Sequence, residues 1–261
     1  TNGNEQLIKA ARNATWNPAS VFVGVKNISS ICRQGTPLDL RLIAVGLDGK
    51  PYAGGDLPLN LEVTRTAFQS TRYDGDHTTT VRSEPLTGTV EKKELILAPS
   101  DSANLQEGGK PVSIPTGQDG IYEVTLSGRD PEGREFRTAV KYWVYGSDVS
   151  PWEYHDGLKV KIIPDKQLYQ PGDTARLLVQ TPIEGEVVVT VEREKVLRSF
   201  TRTLTLDNPV IEVPLESMDA PNVYVSVFLV KGADLSSRKV QNPQLKLGYA
   251  ALKGQIGRAH V

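Results

Sequence analysis

Residues 222–230 read Asn-Val-Tyr-Val-Ser-Val-Phe-Leu-Val, with Val223, Val225, Val227 and Leu229 at every second position. Successive side chains of a strand point to opposite faces, so this spacing predicts a long β-strand with one face in a core. The pattern extends outward in both directions. Leu158, Val160 and Ile162 alternate with Lys159 and Lys161, and seven segments of this kind follow one another: 158–163, 174–180, 186–193, 197–206, 210–215, 222–230 and 244–251. Seven short strands within about a hundred residues is the strand count of an immunoglobulin-like or fibronectin-like sandwich.

Towards the N-terminus the alternation is looser but recurs. Val21, Val23 and Val25 come first, then Leu38, Leu40 and Leu42 before the turn Asp48-Gly49-Lys50-Pro51. Leu57, Leu59, Leu61 and Val63 follow, then Tyr122, Val124 and Leu126, and then Phe136, Thr138, Val140, Tyr142 and Val144, the last two separated by the turn Asp130-Pro131-Glu132-Gly133. A short repeat links the halves: Gly35-Thr36-Pro37-Leu38 and Gly172-Asp173-Thr174-Ala175 each open a strand. Helical spacing occurs only at Glu5 to Arg12, and 99–119 has so little periodicity that it reads as a mobile loop.

The fold class is therefore all-β, two tandem antiparallel β-sandwiches. Residues 1–18 are a lead-in or the end of a preceding domain, 19–146 the first sandwich, 147–157 a linker and 158–253 the second sandwich. Residues 254–261 break the pattern and read as an appended tail. Expected core residues include Leu40, Leu61, Val124, Val140, Leu177, Val189, Val225 and Val227. The linker has the Gly, Ser, Pro and Asp content of a connection, interrupted by Trp152 and Tyr154. These two aromatics are candidate interdomain contacts, either wedged between the sandwiches or capping one core.

Thirty basic residues face thirty-one acidic ones, a net charge of −1, which gives no field to draw the chain to nucleic acid. The three histidines, His77, His155 and His260, are scattered outside any metal-ligand spacing. Asp74-Gly75-Asp76 lacks the remainder of a calcium loop and reads as a polar turn. No nucleophile elbow or phosphate loop is present, so no enzyme activity, metal or cofactor is expected. Arg193, Lys195, Arg198 and Arg202 are interleaved with Glu192 and Glu194 and read as a solvated face. Cys32, the single cysteine, reads as structural or inert.

The second half carries more specific residues. Ile163-Pro164-Asp165-Lys166-Gln167-Leu168-Tyr169-Gln170-Pro171-Gly172-Asp173-Thr174-Ala175, with Gln180-Thr181-Pro182 after it, resembles the opening of macroglobulin-like domains in bacterial alpha-2-macroglobulins. Val189-Thr190-Val191-Glu192-Arg193 and Asn222-Val223-Tyr224-Val225-Ser226-Val227 are similar to the same proteins, and the first half agrees through Val21 to Val25 and the turn at Asp48. Such proteins offer a bait segment to proteases, change shape on cleavage and entrap the attacker, many of them coupling to it through a Cys-Leu-Glu-Gln thioester. In Cys32-Arg33-Gln34 the glutamine stands two positions after the cysteine and not three. The resemblance therefore implies a scaffold fragment of a periplasmic, inner-membrane-anchored protease inhibitor, without the thioester domain and without the bait. The implied partners are other domains of the same parent chain, target proteases and a peptidoglycan-synthesising penicillin-binding protein. A bacterial adhesin or surface stalk is the alternative function for this architecture. A carbohydrate-processing module would need aligned aromatics, and Trp16, Trp143 and Trp152 are scattered.

Overall fold

The computed structural model describes residues 17–26, 29–74, 79–154, 157–232 and 243–254. The histidines, the helical spacing at Glu5 to Arg12, Trp16 and the tail from residue 255 lie outside the described residues. Alternation becomes strand almost everywhere it was read. The first sandwich comprises β1 (Val21–Lys26), β2 (Ile31–Arg33), β3 (Leu38–Gly46), β4 (Leu57–Asp74), β5 (Thr79–Leu97), α1 (Pro99–Ser102), β6 (Lys110–Ile114), β7 (Gly120–Arg129) and β8 (Glu135–Tyr145). They form a three-stranded sheet, β1-β3-β6, and a five-stranded sheet, β2-β8-β7-β4-β5, with β2 parallel to β8 and every other pair antiparallel. Between the sheets lies one apolar core that includes Val21, Leu40, Leu61, Val63, Val124 and Tyr142. Val140, expected inside, is only half-buried at the edge of this core.

The second sandwich comprises β9 (Lys161–Pro164), β10 (Thr174–Gln180), β11 (Gly185–Glu192), β12 (Val196–Leu204), β13 (Val210–Pro214), β14 (Asn222–Lys231) and β15 (Gln244–Lys253). Sheet β13-β10-β9 packs on sheet β12-β11-β14-β15, and Leu177, Val189, Val225 and Val227 are fully buried between them. The repeat seen in the sequence has a common geometry: Gly35 and Gly172 take φ of +83° and +92°, which only glycine adopts without strain, and each leads into a central strand of a three-stranded sheet.

Two features of the first sandwich differ from the sequence reading. Segment 99–119 is not a structureless loop. It holds α1, whose buried Ser102 accepts the backbone N–H of Ala44 at 2.8 Å, and β6, which pairs with β3 from Leu38↔Ile114 to Leu42↔Lys110. Val112 and Ile114 are the only side chains of that strand that face the core, too few to show a period. The second difference is length. β4 and β5 pair over their whole extent, but β7 flanks β4 only from Leu59 to Thr66, so the hairpin continues beyond the sheet as a two-stranded arm. Hydroxyl pairs Thr66–Thr87 (2.8 Å) and Ser70–Ser83 (3.1 Å) occupy cross-strand positions, where alternation of apolar residues is lost.

Polar locks tie the turns to the cores. Asp130, in the β7–β8 turn, accepts the backbone N–H (2.9 Å) and hydroxyl (3.0 Å) of Ser20, the backbone N–H (2.8 Å) and Nε (2.8 Å) of Arg134, and the N–H of Glu132 (3.1 Å). Desolvation pushes its carboxyl pKa up, but these donors outweigh it and hold the group below the ordinary carboxylate value. A depressed folded-state pKa contributes stability that is present above the unfolded value, near 3.9, and is lost as pH falls through and below it. Urea midpoints measured from pH 7 to pH 3 should therefore fall more steeply for the natural chain than for Asp130→Asn; parallel profiles would show that the carboxylate charge is not held by this turn. In the second sandwich Arg198 does not sit in a solvated basic face. It donates from both terminal nitrogens to Asp219 at 2.9 and 2.6 Å, and Asp219 also accepts the N–H of Glu216 at 2.8 Å. Arg202 lies over the Phe200 ring at 5.3 Å.

Among the described residues, no helix is long and apolar enough to cross a membrane.

Candidate functional site

The joint between the sandwiches is built from positions where alternation fails. Tyr142-Trp143-Val144-Tyr145, Ile162-Ile163 and Leu177-Leu178-Val179 are apolar on consecutive residues. In a strand, consecutive apolar side chains demand burial on both faces. Tyr142, Val144, Ile162, Leu177 and Val179 face the two domain cores, while Tyr145, Ile163 and Leu178 face away from them and meet each other. With Ile31 and Trp152 they make a third apolar cluster, flanked by the partly buried Ile121, Trp143 and Val210.

Trp152 therefore has a definite place. It is 4% exposed and packs in the cluster drawn from both sandwiches, not under either domain core. Proline and glycine around it steer the chain across the gap, and the β4–β5 arm supports that path from outside: Phe68 N–H donates to Pro151 O at 2.9 Å, and Tyr154 N–H donates to Ser83 Oγ at 3.2 Å. Tyr154 also touches the second sandwich, with Lys246 Nζ 5.8 Å from its ring centroid and donating to Gly157 O at 2.8 Å.

Directed bonds fix the register of the joint. Ser30 N–H donates to Asp165 O at 2.7 Å and Ser30 Oγ to Pro164 O at 2.8 Å, while Arg176 Nη2 donates to Tyr145 Oη at 3.0 Å. Arg33 and Asp207 add an exposed ion pair at 3.7 Å, which contributes little in water. A mixture of one desolvated apolar cluster and a few short, oriented hydrogen bonds holds one relative orientation of the domains better than apolar contact alone.

Pro164 and Asp165 belong to the motif at 163–175, whose other residues explain why that loop is rigid. Asp165 Oδ1 accepts the Tyr169 hydroxyl at 2.8 Å and the N–H of Arg176 at 2.9 Å. Asp173 Oδ2 accepts Lys166 Nζ and the Gln170 N–H, both at 3.1 Å, and those two donors hold its pKa below the usual value. Burial pushes the Tyr169 hydroxyl well above its ordinary pKa, so it stays a neutral donor. Gly172 N–H reaches Leu215 O at 2.9 Å and closes the turn on the core. The motif forms a stiff bracket whose two carbonyls face the neighbouring domain.

Cys32 lies beside the joint and is 8% exposed, with Sγ 3.0 Å from Thr36 O. Burial raises its thiol pKa, the Arg176 charge lowers it and Asp39 raises it again. A neutral, hydrogen-bonded thiol is a poor nucleophile. The sequence does not mark Ile31, Trp143, Tyr145, Ile163 and Leu178 as interdomain contacts, although their consecutive apolar neighbours carry the signal.

Comparison with known proteins adds to this geometry. Residues 160–253 match the family model described as "Alpha-2-macroglobulin bait region domain". That match lies over the second sandwich, where the resemblance implied a segment without the bait. An "Alpha-2-macroglobulin homolog" of Nostoc sp. is 22% identical over 93% of this chain and 12% of its own length, and an "Alpha-2-macroglobulin" of Xylella fastidiosa is 23% identical over 99% of this chain and 15% of its own. A cryo-EM reconstruction of native Escherichia coli alpha-2-macroglobulin covers 91% of this chain with a TM-score of 0.36 and 17% identity. The chain thus spans about an eighth to a seventh of the length of the curated relatives it matches.

Proposed function

We propose that the chain, whose second sandwich matches the bait region family model and which is similar over most of its length to bacterial alpha-2-macroglobulins, is a scaffold segment of a larger periplasmic protease inhibitor, with no catalytic step of its own. The observation that supports this reading is the joint: Trp152, Ile163, Leu178 and the Ser30–Asp165 bond hold a bait-region domain at a set orientation to its neighbour. A trap needs such rigidity, because a cut in one segment moves other domains only if force is transmitted through stiff connections. An adhesin stalk would use the same architecture, but the bait-region match favours the inhibitor. In this reading the parent is anchored at the inner membrane, the segment's nearest partners are other domains of the parent, and target proteases and a peptidoglycan-synthesising penicillin-binding protein are partners of the whole protein.

The segment alone should not trap a protease, because two sandwiches cannot enclose a protein of similar size. With trypsin or elastase the expected cuts fall in sequence 231–243, which offers Lys231, Arg238 and Lys239. The protease should then keep its full activity on both small and large substrates, and methylamine should leave the intact mass of the chain unchanged. Stoichiometric loss of activity toward large substrates alone would place entrapment in this segment and overturn the scaffold reading.

A further inference from the structure

We infer that the β4–β5 arm is a strap closed on the interdomain linker, which couples the order of the arm to the orientation of the second sandwich. An isolated two-stranded ribbon is marginal in water, and stability comes with a third strand or an apolar face to bury. Beyond Thr66 the arm has neither. β7 makes its last pair with β4 at Thr66↔Ile121, and Ala67, Phe68, Val81 and Leu86 belong to none of the three apolar clusters. Gln69, Ser70, Thr71, Arg82 and Glu84 are exposed, and an exposed ion pair such as Arg82–Glu84 adds little.

Among the described residues, the hydrogen bonds that leave the arm run to the linker, and their geometry is that of a sheet edge. Pro85, which has no N–H, stands opposite Phe68 on β5, and the Phe68 N–H points to the other side of β4, the side that β7 flanks only as far as Thr66. There Pro151 O accepts it at 2.9 Å, so a linker carbonyl takes the place of the missing strand. Across the ladder, Ser83 Oγ accepts the Tyr154 N–H at 3.2 Å. The two bonds grip the linker on either side of Trp152, the side chain buried between the sandwiches. Phe68, Ile121 and Trp152 also share a cavity of about 240 Å3 with Lys159, Lys161 and Gln180 of the second sandwich. A space of that size with polar walls admits water, so the arm is tied to the second sandwich through the linker and not by a packed core.

Strap and joint are therefore linked. A linker held at Pro151 and Tyr154 favours the position in which Trp152 sits in its cluster, and Trp152 in its cluster keeps Pro151 O where Phe68 N–H reaches it. Coupling of this kind is reciprocal. A movement of the second sandwich that withdraws the linker frees the arm, and release of the arm loosens the linker. The coupling involves the two sandwiches alone and does not depend on protease trapping.

Amide-resolved hydrogen exchange of the 261-residue chain, followed by NMR, tests this, because each bond can be removed while the other is read. In Ser83→Ala the Phe68 amide should exchange about fivefold faster, and in Phe68→Pro the Tyr154 amide should do the same, as loss of one bond from a cooperative pair requires. Phe68→Pro removes no bond between β4 and β5, since that N–H points away from β5. Trp152→Ala, which alters no residue of the arm, should speed the Phe68 amide on the order of tenfold. The amides of Val63 and Val124, paired inside the large sheet, should keep their rates in all three variants. If Phe68→Pro also speeds Val63, it has damaged β4, and Ser83→Ala, which changes only a side chain, decides. An unchanged Phe68 amide in either Ser83→Ala or Trp152→Ala overturns the inference, because the arm is then ordered by its own ladder. An unchanged Tyr154 amide in Phe68→Pro overturns it too, since the linker is then held without the strap.

Discussion

Trp152→Ala should separate the two sandwiches without unfolding either. Removing a buried tryptophan from a packed cluster costs about 3–5 kcal/mol, and here that loss falls on the joint and not on the domain cores. Ile31, Tyr145, Ile163 and Leu178 would then face a void that water can enter. The hydrogen bonds that remain across the gap are the pair from Ser30 and the Arg176–Tyr145 bond, each worth about 1 kcal/mol net, and the exposed Arg33–Asp207 ion pair adds little to them. Small-angle scattering should show a larger radius of gyration and a broader distance distribution than the natural chain. Trp143 emission should move to the red as its flank of the cluster opens. Each sandwich should keep its own cooperative transition, since neither core includes Trp152. Trp152→Phe, which refills much of the space, should restore most of the compact scattering profile. Superimposable scattering curves for Trp152→Ala and the natural chain would mean that the cluster does not set the domain orientation.

Asp165→Ala should be the most destabilising change in the second sandwich outside its apolar core. It strands two donors at once, the fully buried hydroxyl of Tyr169 and the backbone N–H of Arg176. A buried donor left without an acceptor costs about 1–3 kcal/mol, so the sum is about 3 kcal/mol after some relaxation toward water. For a domain of this size, that corresponds to a fall in melting temperature of more than about 10 °C. The effect should reach the joint, because the Asp165 carbonyl that accepts Ser30 N–H sits on the same bracket. Tyr169→Phe in the Asp165→Ala background removes one of the stranded donors, so the double variant should cost less than the sum of the two single changes. A loss below about 1 kcal/mol for Asp165→Ala would show that water takes over both bonds and that the bracket is not held by this carboxylate.

Alternation of apolar residues is a local property of a strand with one buried face, so the sequence by itself determined the two β-sandwiches, the seven strands of the second and most of its core. Turn chemistry was legible for the same reason: Gly35 and Gly172 are needed where the backbone takes positive φ. Where a strand's period is not written in apolar residues, as in β6 and the outer half of the β4–β5 hairpin, only long-range pairing with β3 or within the arm decides the structure. The joint lies in the same class. Trp143, Ile163 and Leu178 announce that both faces of their strands are covered, but the cover comes from residues more than a hundred positions away, as Ile31 does for Ile163 within one cluster and Ser30 for Pro164 by a hydrogen bond. Tyr145 and Trp152 could equally have closed one domain's core. The tertiary structure chose between those outcomes, because docking the second sandwich against the large sheet of the first buries all of these side chains at once, and no local sequence pattern carries that information.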